Sequence, residues 1–479
     1  MLVTVRMCIL SFNIVLMLTV SSLSAQVITN SVKVNTKEGT VVGYKAEDGD
    51  YFTFYGVPYG GSSSGEYRFK AAAPPPSRDK ELIANKTDIL RAQPGPEGLI
   101  GVEDCLTLNI FAKSVDNVAP VIVWLSGEGF SNTYYTKNYS YRNFTESDIV
   151  FVQVNYRLSI FGFLCLGVED APGNAGLKDV LQALMWIQSN IKNFGGNPEN
   201  IILLGHGSGA AMVDLITLSK QNADLNLVHK AIVIGGSALS PWAISYNPRE
   251  YARSLTANLG LREVDDSVIA KSLKSVPPEN LVSEINTFVF TNQTLLFAPC
   301  VENTNLKGWI LDNAPINLLK LKSYKAIPYI AGFVNNEGTM IIKEALDHMW
   351  LERMETNFTD FLPVDLSFGT EATKNNISQY IRQSYFGNNG ITNASIEAFL
   401  EYEGDTLIKY PVIRNIKERV KASNNSIRLF TFDLQDDANT RIYGNLSIRG
   451  VDHRSHEKSR RDQAEEVEQL HNAEIEERS

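Results

Sequence analysis

Short apolar runs alternate with stretches of helical spacing along most of the chain. This alternation is typical of βαβ units, in which a mostly parallel sheet is flanked by helices. Residues 176–191 carry apolar side chains at the helical period and predict an amphipathic helix. No repeat of solenoid or propeller period interrupts the pattern. The runs that predict the clearest strands lie at residues 121–125, 149–154, 201–204, 231–234, 327–332 and 427–432.

The two ends of the chain depart from this pattern. Residues 1–25 predict a secretory signal peptide, because Arg6 precedes an apolar stretch over 8–20 and small residues follow it. A membrane anchor fits less well, since a spanning helix needs about twenty apolar residues. Residues 454–479 form a charged, Glu-rich tail, which favours a solvated helix or a disordered segment. The sequence thus predicts a signal peptide, one domain over 26–453 and a tail, with no transmembrane segment in the mature chain.

Composition and charge narrow the class of protein. Of the 479 residues, 44% are hydrophobic and 20% are charged, which excludes wholesale disorder and fibrous proteins. The formal net charge is −10, whereas a nucleic-acid binder needs a basic surface. We therefore expect no nucleic-acid partner.

Asn-x-Ser/Thr sequons are more frequent than chance would give, which supports a secreted, extracellular glycoprotein. After removal of the signal peptide the chain keeps Cys105, Cys165 and Cys300. This odd number leaves at least one thiol without an intramolecular partner and excludes a disulfide-rich scaffold. The predicted glycosylation sites are Asn85, Asn138, Asn143, Asn292, Asn357, Asn376, Asn393, Asn424 and Asn445.

A series of ordered motifs carries a resemblance to a known family. The motifs are FYGVPYG at 54–60, Arg68-Phe69, EDCLTLNIF at 103–111, NYRLSIFGFL at 155–164, the long segment at 173–210, SPWA at 240–243 and AGFVNNEG at 331–338. Together they resemble the type-B carboxylesterase/cholinesterase family over about residues 30–453. The resemblance implies an α/β-hydrolase fold, with a mostly parallel central sheet flanked by helices. The family continues past its histidine with further helices. The charged tail in their place predicts that these C-terminal helices are truncated here, or that the tail has replaced them.

The family's catalytic serine has no counterpart in this sequence. Members carry Gly-Glu-Ser-Ala-Gly-Ala at a sharp strand-to-helix turn, where a histidine takes the serine proton. Here residues 205–210 read Gly-His-Gly-Ser-Gly-Ala, so the resemblance places Gly207 at the nucleophile position. Glycine accepts the positive φ of such a turn, so the turn is expected to persist without its hydroxyl. Ser208 begins the following helix and is expected to point away from the histidine, beyond the roughly 3–3.5 Å that reaction allows.

The loop that would stabilise the oxyanion is also altered. The family usually carries His-Gly-Gly-Gly-Phe there, whereas residues 126–130 read Ser-Gly-Glu-Gly-Phe. The resemblance places the oxyanion-hole positions at Glu128, Gly129 and Ser208. A carboxylate at Glu128 would repel the developing negative charge unless it turns to solvent, and losing one donor costs about 3–4 kcal/mol.

The other two triad positions match the family. The resemblance assigns the acid to Glu337 and the base to His453, although preserved packing would also explain both residues. A Glu–His pair alone would act as an acid–base pair on a water. No metal-ligand pattern accompanies it, so no metal and no cofactor are expected.

Two further departures concern the region around Cys105. The segment before it lacks the tryptophan that cholinesterases use for choline, so a cation–π site for choline is not supported. The cysteine that normally pairs with this position is also absent, because LRAQPG stands at residues 90–95.

Three functions follow from these residues. The main expectation is a secreted, catalytically inactive protein that acts by adhesion, binding an extracellular protein, matrix or cell-surface partner, as the family's non-catalytic members such as glutactin do. The first alternative is a carboxylic ester hydrolase with residual or non-standard activity, through Ser208 or a water activated by His453. The second is a carrier of a lipophilic small molecule, with Trp242 and the loop around Phe297 as walls of the pocket.

Overall fold

The computed structural model describes residues 30–127, 129–132, 140–285, 292–433, 441–443, 446–448 and 452–453. Several predictions concern residues outside these ranges. They are the signal peptide, the Glu-rich tail, the carboxylate of Glu128, and the glycosylation sites Asn138 and Asn445.

Strands occur from the start to the end of the described chain. They are β1 (Ser31–Thr36), β2 (Gly39–Lys45), β3 (Phe52–Pro58), β4 (Leu82–Ile83), β5 (Gln93–Gly95), β6 (Gly98–Ile100), β7 (Thr107–Ala112), β8 (Ala119–Leu125), β9 (Val150–Val154), β10 (Gly196–His206), β11 (Lys230–Ile234), β12 (Tyr329–Val334), β13 (Ile427–Phe432), β14 (Arg441–Tyr443) and β15 (Leu446–Ile448).

Helices follow most of the later strands. They are α1 (Arg142–Glu146), α2 (Ser159–Phe163), α3 (Ala175–Asn190), α4 (Ser208–Leu218), α5 (Lys220–Leu225), α6 (Pro248–Asn258), α7 (Asp266–Ser275), α8 (Pro278–Ile285), α9 (Pro315–Leu321), α10 (Ile342–Asp347), α11 (Trp350–Thr356), α12 (Glu371–Phe386), α13 (Ile396–Gly404) and α14 (Tyr410–Ala422). A turn of π-helix, Asp405–Lys409, joins α13 to α14.

One sheet of eleven strands organises the molecule, in the order β1-β2-β3-β7-β9-β8-β10-β11-β12-β13, with β4 beside β2. Strands β9, β8, β10, β11, β12 and β13 run parallel to one another. The strands before them, β1, β2, β3 and β7, pair antiparallel. The predicted fold, an α/β-hydrolase sheet that is mostly parallel and flanked by helices, is confirmed, and the six predicted strands are β8 to β13.

Both faces of this sheet are covered, which explains why its central strands read as continuous apolar runs. Every residue of β9 is buried. Val123 and Leu203 point to the face that packs against α3 and α4 in the largest apolar cluster. Ile122 and Leu204 point to the opposite face, in a separate cluster that contains the stacked rings of Phe111 and Tyr141, 3.8 Å apart.

Helix α3 lies one residue from its predicted position but is more deeply buried than the prediction indicated. The spacing predicted an amphipathic helix, whereas α3 is buried along most of its length and not on one face alone. Its charged residues are buried in ion pairs: Asp179 binds Arg157 at 2.6 Å, and Lys178 binds Glu302 at 2.6 Å. Buried charges of this kind are tolerated because they are paired.

Helix α4 is anchored from behind by the buried carboxylate of Asp214. Tyr329 donates its hydroxyl proton to Asp214 Oδ1 at 2.5 Å, and Arg419 Nη2 donates to the same oxygen at 3.0 Å. Asn415 Nδ2 donates to Asp214 Oδ2. These bonds tie α4 to β12 and α14, and breaking a buried pair of this type costs about 3–5 kcal/mol.

A disulfide joins Cys165 to Cys300 across 135 residues, and Cys105 is a buried free thiol. Asn174 fixes the backbone beside the bridge, because its amide donates to Cys300 O at 2.8 Å and accepts from Cys300 N at 2.8 Å. The disulfide thus links the chain just after α2 to the chain that precedes α9.

Candidate active site

The turn between β10 and α4 has the conformation expected of a nucleophile position. Gly207 has φ 56° and ψ −122°, and its N–H donates to Ile234 O at 2.9 Å. The flanking glycines permit close backbone contacts: a Cβ on Gly205 would lie 2.3 Å from Gly209 O, and one on Gly209 would lie 2.0 Å from Leu125 O. The sharp turn therefore depends on its glycines and not on any side chain at position 207.

Glu337 and His453 form a buried hydrogen-bonded pair. Glu337 begins a 3₁₀ turn after β12 and is fully buried. Its Oε1 accepts from Val334 N at 2.9 Å, and its Oε2 lies 2.5 Å from His453 Nδ1. The backbone N–H of His453 donates to Thr339 Oγ1 at 3.1 Å. A carboxylate at Nδ1 holds the ring with Nδ1 protonated and leaves Nε2 as the basic nitrogen.

The basic nitrogen faces Gly207. A Cβ built on Gly207 would lie 3.3 Å from His453 Nε2 and 3.8 Å from Gly127 O. The structure therefore brings Gly207, Glu337 and His453 together, with no side-chain oxygen at position 207.

The imidazole of His206 is a neighbour that the sequence analysis did not single out. Its ring centroid lies 4.5 Å from that of His453, and the two planes are tilted by 33°. A Cβ on Gly235 would lie 2.9 Å from His453 Cε1 and 3.3 Å from His206 Nε2. The sequence signal that could have indicated this neighbour is the position of His206 in the Gly-His-Gly-Ser-Gly motif, because His206 immediately precedes the turn at Gly207.

Ser208 is the first residue of α4 and is buried. Among the described residues its Oγ has no hydrogen-bond partner, and so no hydrogen bond joins it to His453. The hydroxyl lies on the Gly127 side, 3.1 Å from a Cβ built on that glycine. Its backbone N–H belongs to the first helical turn, where N–H groups have no partner within the helix.

The predicted oxyanion loop begins at Ser126, directly after β8. Tyr156 donates its hydroxyl proton to Ser126 O at 2.9 Å, and Arg91 Nη2 donates to Ser126 Oγ at 2.9 Å. Glu128 lies outside the described residues. Gly129 follows with φ 55°, and a Cβ there would lie 3.9 Å from Leu295.

The predicted pocket walls lie close to this loop. The rings of Phe130 and Trp242 are 6.0 Å apart and both are buried, as is Phe297. Within the described ranges, no group of three or more His, Cys, Asp or Glu side chains is arranged to hold a metal ion.

A second buried acid lies behind Glu337. Glu403 on α13 is fully buried, and its Oε2 accepts from Gln293 Nε2 at 2.8 Å. Desolvation raises the pKa of Glu403 to about 8. The next residue, Gly404, packs on the acid, because a Cβ there would lie 3.6 Å from Glu337 Cβ.

Comparison with known proteins decides the family. The model of the carboxylesterase family matches residues 30–462. The chain belongs to the carboxylesterase family. This carboxylesterase-family chain is 30% identical over 421 residues to venom carboxylesterase-6 of Apis mellifera, a match that covers 84% of this chain and 74% of the relative. It is 28% identical to esterase B1 of Culex pipiens, over 88% of this chain and 80% of the relative.

A solved structure agrees with this assignment. Juvenile hormone esterase from Manduca sexta, with OTFP covalently attached, matches with a TM-score of 0.78 at 27% identity. The match covers 89% of this chain and 82% of that chain. The resemblance found in the sequence is thus confirmed at the level of the family and its fold.

The main functional expectation, adhesion or matrix binding, is wrong. The relatives and the structural neighbour are named esterases, and these names point to ester hydrolysis. The geometry gives the physical reason, because the buried Glu337–His453 pair keeps an acid–base arrangement that adhesion does not need. The first alternative, a carboxylic ester hydrolase, fits these findings better.

The described glycosylation sites lie where a glycan could be attached, since none is buried. Asn143 and Asn292 are partly exposed. None of the described helices has the length and apolar character that crossing a bilayer requires. The exposed sites are Asn85, Asn357, Asn376, Asn393 and Asn424.

Proposed function

We propose that this carboxylesterase-family chain binds a carboxylic ester beside Gly207 and hydrolyses it slowly by direct attack of water. The observation that carries the proposal is the complete Glu337–His453 pair, whose Nε2 faces the space where Gly207 has no side chain. An imidazole oriented by a buried carboxylate is a suitable general base. The esterase names of the relatives support an ester as the ligand.

The chemistry uses groups of this chain only. His453 Nε2 takes a proton from water, and the hydroxide forms a bond to the carbonyl carbon of the ester. Negative charge develops on the carbonyl oxygen, next to the N–H groups at the start of α4, of which Ser208 is the first. His453 then returns the proton to the leaving alkoxide as the C–O bond breaks, which gives the acid and the alcohol. A general base contributes about 10²–10⁴-fold, so turnover is expected far below that of a serine esterase.

The test compares the purified full chain with its His453→Gln variant on p-nitrophenyl butyrate. The wild type is expected to hydrolyse the ester at least about 100-fold faster than the variant, because the variant has no base. His348→Gln is the matched control, since it makes the same change at an exposed histidine. A fluorophosphonate probe should leave the wild type unlabelled. Equal rates for wild type and His453→Gln, or a covalent label on the wild type, contradict the proposal.

Binding without turnover is the second candidate, and Gly207 favours it because no Oγ is present at that position to form an acyl-enzyme. It corresponds to the prediction that the chain is not an enzyme and is akin to non-catalytic family members, and it includes the carrier of a lipophilic molecule. Saturable binding of the ester with equal rates for wild type and His453→Gln supports this candidate. A rate ratio of about 100 or more rejects it.

We also propose that the chain is secreted and glycosylated. The predicted signal peptide, the accessible sequons and the Cys165–Cys300 disulfide support an oxidising, extracellular compartment. Expression in animal cells, followed by N-glycosidase treatment of cells and medium, tests this. Recovery from the medium with a mobility shift is expected, and an unglycosylated product retained in the cytosol contradicts it.

A further inference from the structure

A buried cation lies directly behind the loop that starts at Ser126. Arg91 is 2% exposed and pairs with Val102 in an isolated β-bridge. Its Nη2 donates to Ser126 Oγ at 2.9 Å and its Nη1 to Ser126 O at 3.3 Å. The guanidinium carbon lies 4.9 Å from the centre of the Tyr156 ring. Arg91 thus contacts the first residue of the predicted oxyanion loop through both of its terminal nitrogens.

This cation differs from the other buried arginines of the domain. Arg157 pairs with Asp179 at 2.6 Å and Arg419 pairs with Asp214 at 3.0 Å, whereas no carboxylate in the described ranges pairs with Arg91. The Nε of Arg91 has no hydrogen-bond partner there either. A buried charge is normally paired because desolvation is costly.

The titratable neighbours of Arg91 do not supply the missing negative charge. Desolvation raises the pKa of the Cys105 thiol to about 12. It also raises the pKa values of the Tyr59 and Tyr156 hydroxyls, so all three groups are neutral at pH 7. Arginine itself keeps its proton, although burial lowers its pKa. Among the described residues, therefore, no negative charge compensates that of Arg91, and Glu128 is not one of these residues.

The charge lies close to the candidate active site. Ser126 O accepts from both Arg91 and Tyr156, which fixes the peptide that leads into Gly127. The carbonyl oxygen of Gly127 is 3.8 Å from a Cβ built on Gly207. Arg91 binds Ser126, and the next residue, Gly127, borders the space between Gly207 and His453. A unit charge held directly behind this loop contributes to the electrostatic potential in that space.

We propose that Arg91 and residues 126–127 form an anion-binding subsite that takes a carboxylate, so that the site prefers carboxylates to uncharged molecules of the same shape. The proposal rests on the proposed function, since the carboxylate is the acid released from an ester. Arg91 acts through Ser126 and Gly127 and is therefore a positioning residue. Its positive charge also supplies an electrostatic potential that favours a bound carboxylate. A consequence is product inhibition by the released acid.

Calorimetric titration at pH 7.5 tests this, with octanoate and octanamide as probes of equal length. The measured quantity is the ratio of their Kd values. Wild type is expected to prefer octanoate, and Arg91→Met should lower that preference roughly tenfold to thirtyfold, the size expected for removal of one nearby unit charge at the effective dielectric of a protein. Arg91→Lys should keep most of it. Arg253→Met is the matched control, because it removes one positive charge from a half-exposed side chain, and should leave the ratio unchanged.

The ratio separates an electrostatic role from a structural one. A variant that merely loosens the loop weakens both probes equally and leaves the ratio at the wild-type value, which overturns the proposal. If Arg91→Met fails to fold, the wild type alone still tests the proposal. Equal affinities of the wild type for octanoate and octanamide, or binding of neither, overturn the proposal. Because the titration needs no turnover, its outcome is independent of whether His453→Gln changes the rate of hydrolysis.

Discussion

The two halves of the candidate active site match the family pattern to different degrees. In the acid–base half, Glu337 and His453 are buried, hydrogen-bonded to each other and held by Val334 and Thr339. In the nucleophile half, the backbone turn at Gly207 persists, but the side-chain oxygen is absent.

The difference shows that this fold fixes the backbone of the β10–α4 turn without a side chain at position 207. The turn is set by the close approach of Gly205 and Gly209 to neighbouring backbone, and α4 is anchored through Asp214. Neither set of contacts involves a side chain at position 207. The arrangement around His453 is therefore in place although residue 207 is glycine.

The largest expected effect is the restoration of the missing half by Gly207→Ser. A Cβ at this position lies 3.3 Å from His453 Nε2, so the new hydroxyl is within hydrogen-bonding reach of the base. Loss of a catalytic serine costs about 10⁶-fold and loss of an oxyanion donor about 10³-fold. We therefore expect a gain of about 10³-fold in kcat/KM for p-nitrophenyl butyrate, with fluorophosphonate labelling of residue 207.

Gly207→Ala is the control for this experiment, because it adds the Cβ without the oxygen and should gain nothing. If Gly207→Ser is inactive but unfolds at the wild-type temperature, then the serine hydroxyl and His453 are not in a geometry that supports catalysis.

A smaller effect is expected behind the acid–base half, where Glu403 is buried. Its folded pKa of about 8 exceeds that of an exposed carboxyl, so its stability contribution is complete below pH 4.5 and is lost as pH rises through about 8. From pH 5 to pH 7 we expect the free energy of unfolding to fall by about 2–3 kcal/mol from this group. Urea titrations of wild type and Glu403→Gln measure the effect.

The glutamine variant should lack this fall of about 2–3 kcal/mol over the same pH range, because residue 403 no longer titrates. Glu401→Gln changes a carboxylate two residues away on the same helix and serves as the control. If wild type and Glu403→Gln show the same pH dependence, Glu403 does not carry a raised pKa.

The smallest effect is expected from the loop itself, through Glu128→Gln in the Gly207→Ser background. A carboxylate beside the oxyanion donors opposes the developing charge, so its removal should raise kcat roughly tenfold with little change in KM. Comparison of kcat for Gly207→Ser with and without Glu128→Gln measures it. An unchanged kcat would mean that the Glu128 carboxylate faces away from the reaction.

The sequence predicted those parts of this structure that depend on local pattern. Apolar runs located β8 to β13 within a few residues, except that β10 begins earlier, at Gly196. The antiparallel strands β1 to β3 were not predicted, because their apolar residues form no continuous run. The order of the family's motifs predicted the fold and placed Gly207 at the position of the family's catalytic serine.

Contacts between distant residues were beyond prediction. The amphipathic pattern of α3 gave no sign that Asp179 would be buried against Arg157, because that depends on a partner outside the helix. Arg91 lies 35 residues before Ser126, and nothing in the segment LRAQPG indicates where its guanidinium would lie. The contact between the tilted rings of His206 and His453 depends in the same way on tertiary structure.

The bridge between Cys165 and Cys300 has a consequence for a protein exposed to proteases. Gly207 lies in the segment between the two cysteines. Ser126 lies before that segment in the sequence, and His453 lies after it. A single nick anywhere between the two cysteines therefore leaves both fragments in one covalent molecule, with every part of the pocket still tethered, until a reductant releases them.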